Sequence, residues 1–120
     1  TDFGTHSTVP VLYPDIALAV ANAINAGQQR LGVLVCGTGI GMAISANKVL
    51  GIRAAQAHDT YSAERARKSN DAQILSIGAR VIGAELAKSI VTAFLASEFE
   101  AARSGAKVAR INAIERDGHQ

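Results

Sequence analysis

The sequence predicts one α/β domain over residues 1–120, a parallel sheet with helices on both faces. Three observations carry that prediction. Short runs rich in apolar residues, Leu31–Val35, Gly51–Ala57 and Ala72–Ile77, are separated by stretches whose apolar positions recur every three or four residues. Strand-like and helix-like segments therefore alternate, the order of βαβ units. A length of 120 residues with 48% hydrophobic content suits a single core. A domain of that size has little burial to spare, which favours self-association.

In chain order, Tyr13-Pro14-Asp15 opens the first helix, because proline suits a first-turn position whose amide would have no partner. Ile16, Val20 and Ile24 give that helix one apolar face, and Gly27 closes it. Leu31–Val35 reads as a buried strand. Gly37-Thr38-Gly39-Ile40-Gly41 leads from it into a helix through Ala43, Ile44 and Ala46 to about Lys48. Gly51–Ala57 is the next strand. Asp59 caps a short polar helix, Thr60–Lys68, which carries Glu64, Arg65, Arg67 and Lys68. Ala72–Ile77 is a strand ended by Gly78. Ile82, Leu86, Ile90 and Phe94 line one side of the following helix, and a last helix runs from about Ala106 to Arg116. Ligands of parallel α/β sheets bind outside the carboxyl ends of the strands. That rule directs attention to Cys36–Gly41, His58–Tyr61 and Ser76–Arg80.

Composition excludes several classes. The net charge is +2, its signs are interspersed, and aromatics are 4%, which does not describe a nucleic-acid or membrane surface. One cysteine excludes an internal disulfide framework, and with three scattered histidines it makes no metal-ligand constellation. No run approaches the roughly 20 apolar residues of a membrane span. With no signal-like segment, a cytoplasmic location is expected. Thr1–Thr5 reads as the end of a strand entered midway, so a missing N-terminal piece is expected as well.

Val35-Cys36-Gly37-Thr38-Gly39-Ile40-Gly41 sets a thiol at a strand end, before a helix. Glycines let this backbone turn tightly and approach an anion. Amides at a helix start favour negative charge, which favours the thiolate of Cys36 and a developing enediolate oxygen alike. A base beside an anion hole is what proton abstraction next to a carbonyl requires. Two other readings compete. Cys36 can be an inert buried thiol. Alternatively the loop can hold a dinucleotide, with Asp59 lying 20 residues beyond Gly39 for the ribose; against this, Met42 stands where the third glycine belongs.

The loop is followed by Ser45-Ala46-Asn47-Lys48 and Gly51-Ile52-Arg53-Ala54. With Tyr13-Pro14, Tyr61-Ser62-Ala63, Asn70-Asp71, Gly78-x-Arg80-Val81-x-Gly83, Leu86-Ala87-Lys88 and Ile111-Asn112-Ala113-Ile114-Glu115, the chain resembles the ribose-5-phosphate isomerase B / galactose-6-phosphate isomerase family. The likeness spans essentially the whole chain. It implies a Rossmann-like α/β/α subunit, first βα unit missing here, that forms homodimers or tetramers with active sites between subunits. It also implies a phosphorylated sugar as substrate and no cofactor. Carried over residue by residue, it makes Cys36 the base that moves a proton between C1 and C2, and Thr38 a contact to the reacting end. The amides of Gly37, Gly39, Ile40 and Gly41, with the Asn70 side chain, hold the enediolate; Arg80, Arg103 and Lys107 bind the phosphate.

The chain departs from the family pattern at three places. Ser69 replaces the histidine assigned to opening a furanose ring, Ser104 replaces a histidine after Arg103, and the first-strand segment of roughly thirty residues is lacking. A tetrose 4-phosphate cannot form that ring, since its O4 is esterified. The segments His58–Arg65 and Ser69–Gln73 resemble the branch that includes D-erythrulose-4-phosphate isomerases. The expected substrate pair is therefore D-erythrulose 4-phosphate and D-erythrose 4-phosphate, with D-ribose 5-phosphate as the alternative and His58 then the candidate ring opener. A non-catalytic phosphosugar-binding subunit is the alternative of another class. His6 and His119 are assigned no chemistry.

Overall fold

The computed structural model describes residues 1–4 and 12–118, so Thr5, His6 and His119 lie outside the described residues. The elements are α1 (Tyr13–Asn25), β1 (Gly32–Cys36), α2 (Ile40–Ala46), β2 (Ala54–Gln56), α3 (Thr60–Asn70), β3 (Ile74–Gly78), α4 (Ala84–Leu95) and α5 (Ala101–Gly118). The three strands are parallel in the order β1-β3-β2, with Cys36 opposite Gly78 and Gln56 opposite Ser76.

All five residues of β3 are buried, as a central strand covered on both faces must be. Side chains alternate across its pleat. Ile74 joins Leu34, Ala17, Val20, Ala21 and Met42 under α1 and α2, whereas Leu75 and Ile77 pack with Ala63, Ala66, Ile90 and Phe94 under α3 and α4. The two helical layers expected from the alternation are present.

Differences from the expected elements have local causes. The buried stripe of α1 is Ala17, Val20 and Ala21, with Ile16 and Ile24 only flanking it, because small side chains let the helix approach the sheet closely. Val35 is 52% exposed: it points away from Leu34 on β1, an edge strand with β3 as its one neighbour among the described residues. Ile82 precedes α4 and Leu86 is exposed, so Ile90 and Phe94 alone are its fully covered anchors. On the polar helix α3, Arg67 is buried and bonds to Asp71 Oδ1 and the Ala72 carbonyl.

Helix α5 begins at Ala101, five residues before the expected start. Gly105 in its interior lowers local helix propensity, but tertiary contacts override that. The Glu100 amide donates to the Lys68 carbonyl, the Glu100 carboxylate pairs with Arg65, and Ser104 and Val108 are buried.

A groove of about 550 Å³ runs along the open edge of β1 past Phe3, Leu31, Val33, Val35 and Met42; Cys36 does not line it. No described helix is long and apolar enough to cross a membrane.

Candidate active site

Cys36 ends β1, and the loop that follows lies over the carboxyl end of β3. A Cβ built on Gly78 would fall 2.7 Å from the Cα and carbonyl carbon of Thr38, so loop and strand touch backbone to backbone. Gly39 has φ +79 and caps α2; a Cβ there would lie 2.9 Å from the Ile77 carbonyl carbon. Only glycine meets both demands at position 39.

Four successive carbonyls of the loop are held from one side. The Cys36 carbonyl accepts from the Ala79 amide at 2.8 Å and the Gly37 carbonyl from the Arg80 amide at 3.1 Å. The Thr38 carbonyl accepts from Gln56 Nε2 at 2.7 Å, and the Gly39 carbonyl from the Ser76 hydroxyl at 2.7 Å. In a trans peptide the N–H points opposite to the carbonyl, and the described chain has no cis bond. The amides of Gly37, Thr38, Gly39 and Ile40 are thereby turned toward the other side.

Two of these amides already have acceptors there: Gly39 N–H donates to Cys36 Sγ at 3.1 Å, and Ile40 N–H to Thr38 Oγ1 at 3.2 Å. Burial pushes the Cys36 thiol up, but the amides of Thr38, Gly39, Met42 and Gly41 outweigh it and hold the thiol below its ordinary range. Because α2 has only seven residues, these nearby N–H groups, rather than a long helix dipole, supply the field. Thr38 is exposed, and its hydroxyl accepts from Ile40 with its own proton still free to donate. Met42, at the position where a dinucleotide loop has its third glycine, is buried in the core.

The expected site residues fall into two groups. Cys36, Gly37, Thr38, Gly39, Ile40, Gly41 and Arg80 are together at the carboxyl end of the sheet. The Arg80 side chain lies over Gly37, its Cδ 3.6 Å and its Nε 3.9 Å from where a Cβ would stand. Asn70, the last residue of α3, precedes β3 and so belongs to the opposite, amino end of the sheet. Arg103 and Lys107 are in the first turns of α5, whose start is bonded to the end of α3 through Glu100 and Lys68. Within one chain these three residues do not join the thiol. Arg80, Arg103 and Lys107 take part in none of the ion pairs formed among the described residues, which leaves their charge available to an anion.

His58 does not extend into open space. Its Nε2 accepts from the Gly78 amide at 2.9 Å, where β2 has ended and no strand carbonyl remains to do so. With Nε2 accepting this bond, only the Nδ1 side of the ring is open to a further partner. Asp59 caps α3 as expected, accepting from the Ser62 amide; the Ser62 hydroxyl and amide hold its carboxyl below the usual range. Ser69 accepts from Arg65 Nε at 2.7 Å. No cluster of three or more His, Cys, Asp or Glu residues able to hold a metal occurs among the described residues.

Of two further residues with a place in this site, Gln56 lies outside the segments to which the strand-end rule directs attention, whereas Ser76 begins one of them. Gln56 reads as one polar residue in a weak alanine-rich strand. Ser76 carries a clearer signal, a hydroxyl inside the apolar run Ile74-Leu75-Ser76-Ile77, where a buried oxygen has to find a partner.

The family described as Ribose/Galactose Isomerase matches residues 1–111. The chain belongs to that family. It is 59% identical over 110 residues to the D-erythrulose-4-phosphate isomerase of Pectobacterium atrosepticum, an alignment covering 91% of this chain and 72% of the relative. It is 56% identical over 115 residues to the ribose-5-P isomerase B of Listeria innocua, covering 96% and 78%. Among solved structures, ribose-5-phosphate isomerase B of Clostridium thermocellum superposes with a TM-score of 0.93 at 46% identity, covering 98% of this chain and 79% of that one. As a ribose/galactose isomerase family member the chain is an aldose–ketose isomerase with a Rossmann-like fold, and its thiol loop occupies the strand ends where such sheets bind ligands.

Proposed function

We propose that the chain interconverts D-erythrulose 4-phosphate and D-erythrose 4-phosphate, with Cys36 as the base. The observation that carries the mechanism is the Cys36 thiol receiving the Gly39 amide beside a row of amides turned the same way. In the ketose-to-aldose direction the Cys36 thiolate takes a proton from C1, and the electrons of that bond form the enediolate. The loop amides stabilise its oxygen charge. The resulting thiol returns the proton to C2 while the O1 proton passes to O2, which leaves the C1 carbonyl and C2 hydroxyl of the aldose. Thr38 donates its hydroxyl to an oxygen at the reacting end, and Arg80 engages the anionic substrate.

The substrate assignment rests on Ser69, which accepts from Arg65 and has no acid to offer a closed ring near neutral pH. A tetrose 4-phosphate needs no such acid. Identity to the Pectobacterium relative supports the same reading. Ribose 5-phosphate is the second reading, favoured by the name of the Listeria relative. In that case His58 has only its Nδ1 side free for ring opening, since Nε2 is engaged with Gly78. The deciding experiment compares kcat/KM for D-erythrulose 4-phosphate and D-ribulose 5-phosphate. A preference of about tenfold or more for the tetrose, equivalent to about 1.4 kcal/mol in the barrier, is expected. Equal turnover of the pentose overturns the assignment.

The site is completed between two copies of the chain. The thiol loop of one takes Asn70, Arg103 and Lys107 from the other, because those residues lie at the far end of the sheet from their own Cys36. Mixing Cys36→Ala with Asn70→Ala chains tests this. If the subunits exchange freely, half the dimers are mixed and each carries one intact site, so about a quarter of the parent activity returns. Two inactive chains that stay inactive after verified exchange exclude the shared site.

A further inference from the structure

We infer that Gln56 and Ser76 are positioning residues of this site, holding the Thr38 and Gly39 carbonyls so that the Gly39 and Ile40 amides face the thiol and the reacting oxygens. The inference rests on the isomerase mechanism proposed above and extends it to groups that do not touch the substrate.

The sheet order explains how they reach the loop. β2 and β1 flank β3, and the loop after β1 lies over the end of β3. Gln56, the last residue of β2, meets Thr38 from the far side of β3; Ser76, opposite Gln56 within β3, reaches Gly39 from below. The other two carbonyls of the loop are held by backbone amides of Ala79 and Arg80, which any sequence can supply. The Thr38 carbonyl depends on the Gln56 side chain, and the Gly39 carbonyl is shared between the Ser76 hydroxyl at 2.7 Å and the Ala43 amide at 3.3 Å. Their peptide planes carry the Gly39 amide that donates to Cys36 Sγ and the Ile40 amide that donates to Thr38 Oγ1.

The two residues differ usefully in setting. Ser76 is fully buried, and an alanine there removes the shorter of the two hydrogen bonds to the Gly39 carbonyl, leaving the Ala43 amide at 3.3 Å. Gln56 is exposed, so its replacement barely disturbs the core. Charged or titratable groups touching the same backbone are Arg80 over Gly37, Tyr13 against Gly41 and His58 on the Gly78 amide. All three are unchanged in the variants below.

The test follows alkylation of Cys36 by iodoacetamide against pH, together with kcat and KM, in Gln56→Leu, Gln56→Glu and Ser76→Ala. Gln56→Glu keeps the shape but sets an acceptor against the Thr38 carbonyl. The expected result is an alkylation midpoint raised by about half to one pH unit. In parallel kcat falls about tenfold, with KM changed less than about twofold, and Gln56→Glu is the most affected of the Gln56 pair. An unchanged midpoint and unchanged kcat in both Gln56 variants overturn the inference, whatever happens to thermal stability. If Ser76→Ala does not fold, the exposed Gln56 pair decides alone. Should the parent chain fail to isomerise any sugar phosphate, the alkylation midpoints still report whether these side chains aim the amides.

Discussion

Replacing Cys36 with alanine is expected to lower kcat/KM by about 10²–10⁴-fold while leaving the fold in place, the range for loss of a positioned proton-transfer group. The side chain is half-buried at a strand end, so losing its sulfur removes little packing. What disappears is the one atom to which the Gly39 amide is aimed. The amides themselves remain, held by Ala79, Arg80, Gln56 and Ser76, so the substrate still binds and KM changes much less than kcat. The sign of the pH dependence follows from the thiol. With the thiolate as the working form of the proposed base, kcat/KM of the parent is expected to rise with pH through the Cys36 pKa and then level. Because the surrounding amides hold that pKa below the ordinary thiol range, the rise is complete at lower pH than for an unperturbed cysteine. Steady-state rates of parent and Cys36→Ala across pH check both statements. A variant that keeps the parent rate, or a pH profile with the same rise in the variant, removes Cys36 from the mechanism.

Replacing Gly39 with alanine is expected to cost about 2–5 kcal/mol of stability, adding left-handed strain to forced overlap in a packed region. It is also expected to cost about a hundredfold in kcat, because the amides it displaces lie beside the reacting atoms. Gly27 supplies the control, since it has the same φ of +79 but nothing within 4 Å of an added Cβ. Alanine at position 27 therefore meets the backbone strain alone, about 1–2 kcal/mol. At position 39 the added carbon also strikes the Ile77 backbone, which cannot move without shifting the central strand. Chemical denaturation of the two variants separates the terms. Equal losses at both positions mean that the Ile77 contact relaxes freely, and that the loop is not seated on β3 as described.

The alternation of elements was legible in the sequence because each carries its own period. The run Ile74-Leu75-Ser76-Ile77-Gly78 announces a strand covered on both faces, and Tyr13-Pro14-Asp15 a helix start. Boundaries were less so. Gly105 argues locally for a late start of α5, and the pairing of Glu100 with α3, far along the chain, overrules it. Val35 looks as apolar as Ile77, yet among the described residues one lies on an edge strand and the other in the middle of the sheet, and no local pattern records strand order.

The site divides in the same way. A thiol at a strand end, glycines before a helix, and the run of spaced motifs through Glu115 are properties of neighbouring residues, so the order of amino acids determines them, as it does membership of the isomerase family. Which way the amides face is a tertiary matter, since it depends on Gln56, Ser76, Ala79 and Arg80, which arrive from two other strands and the turn after β3. Nothing local to His58 marks it as an acceptor for Gly78, twenty residues away. Nor does spacing separate Asn70, Arg103 and Lys107 from the thiol. Residue spacing records distance along the chain, and a parallel sheet sends the residues before a strand and those after it to opposite ends of the molecule.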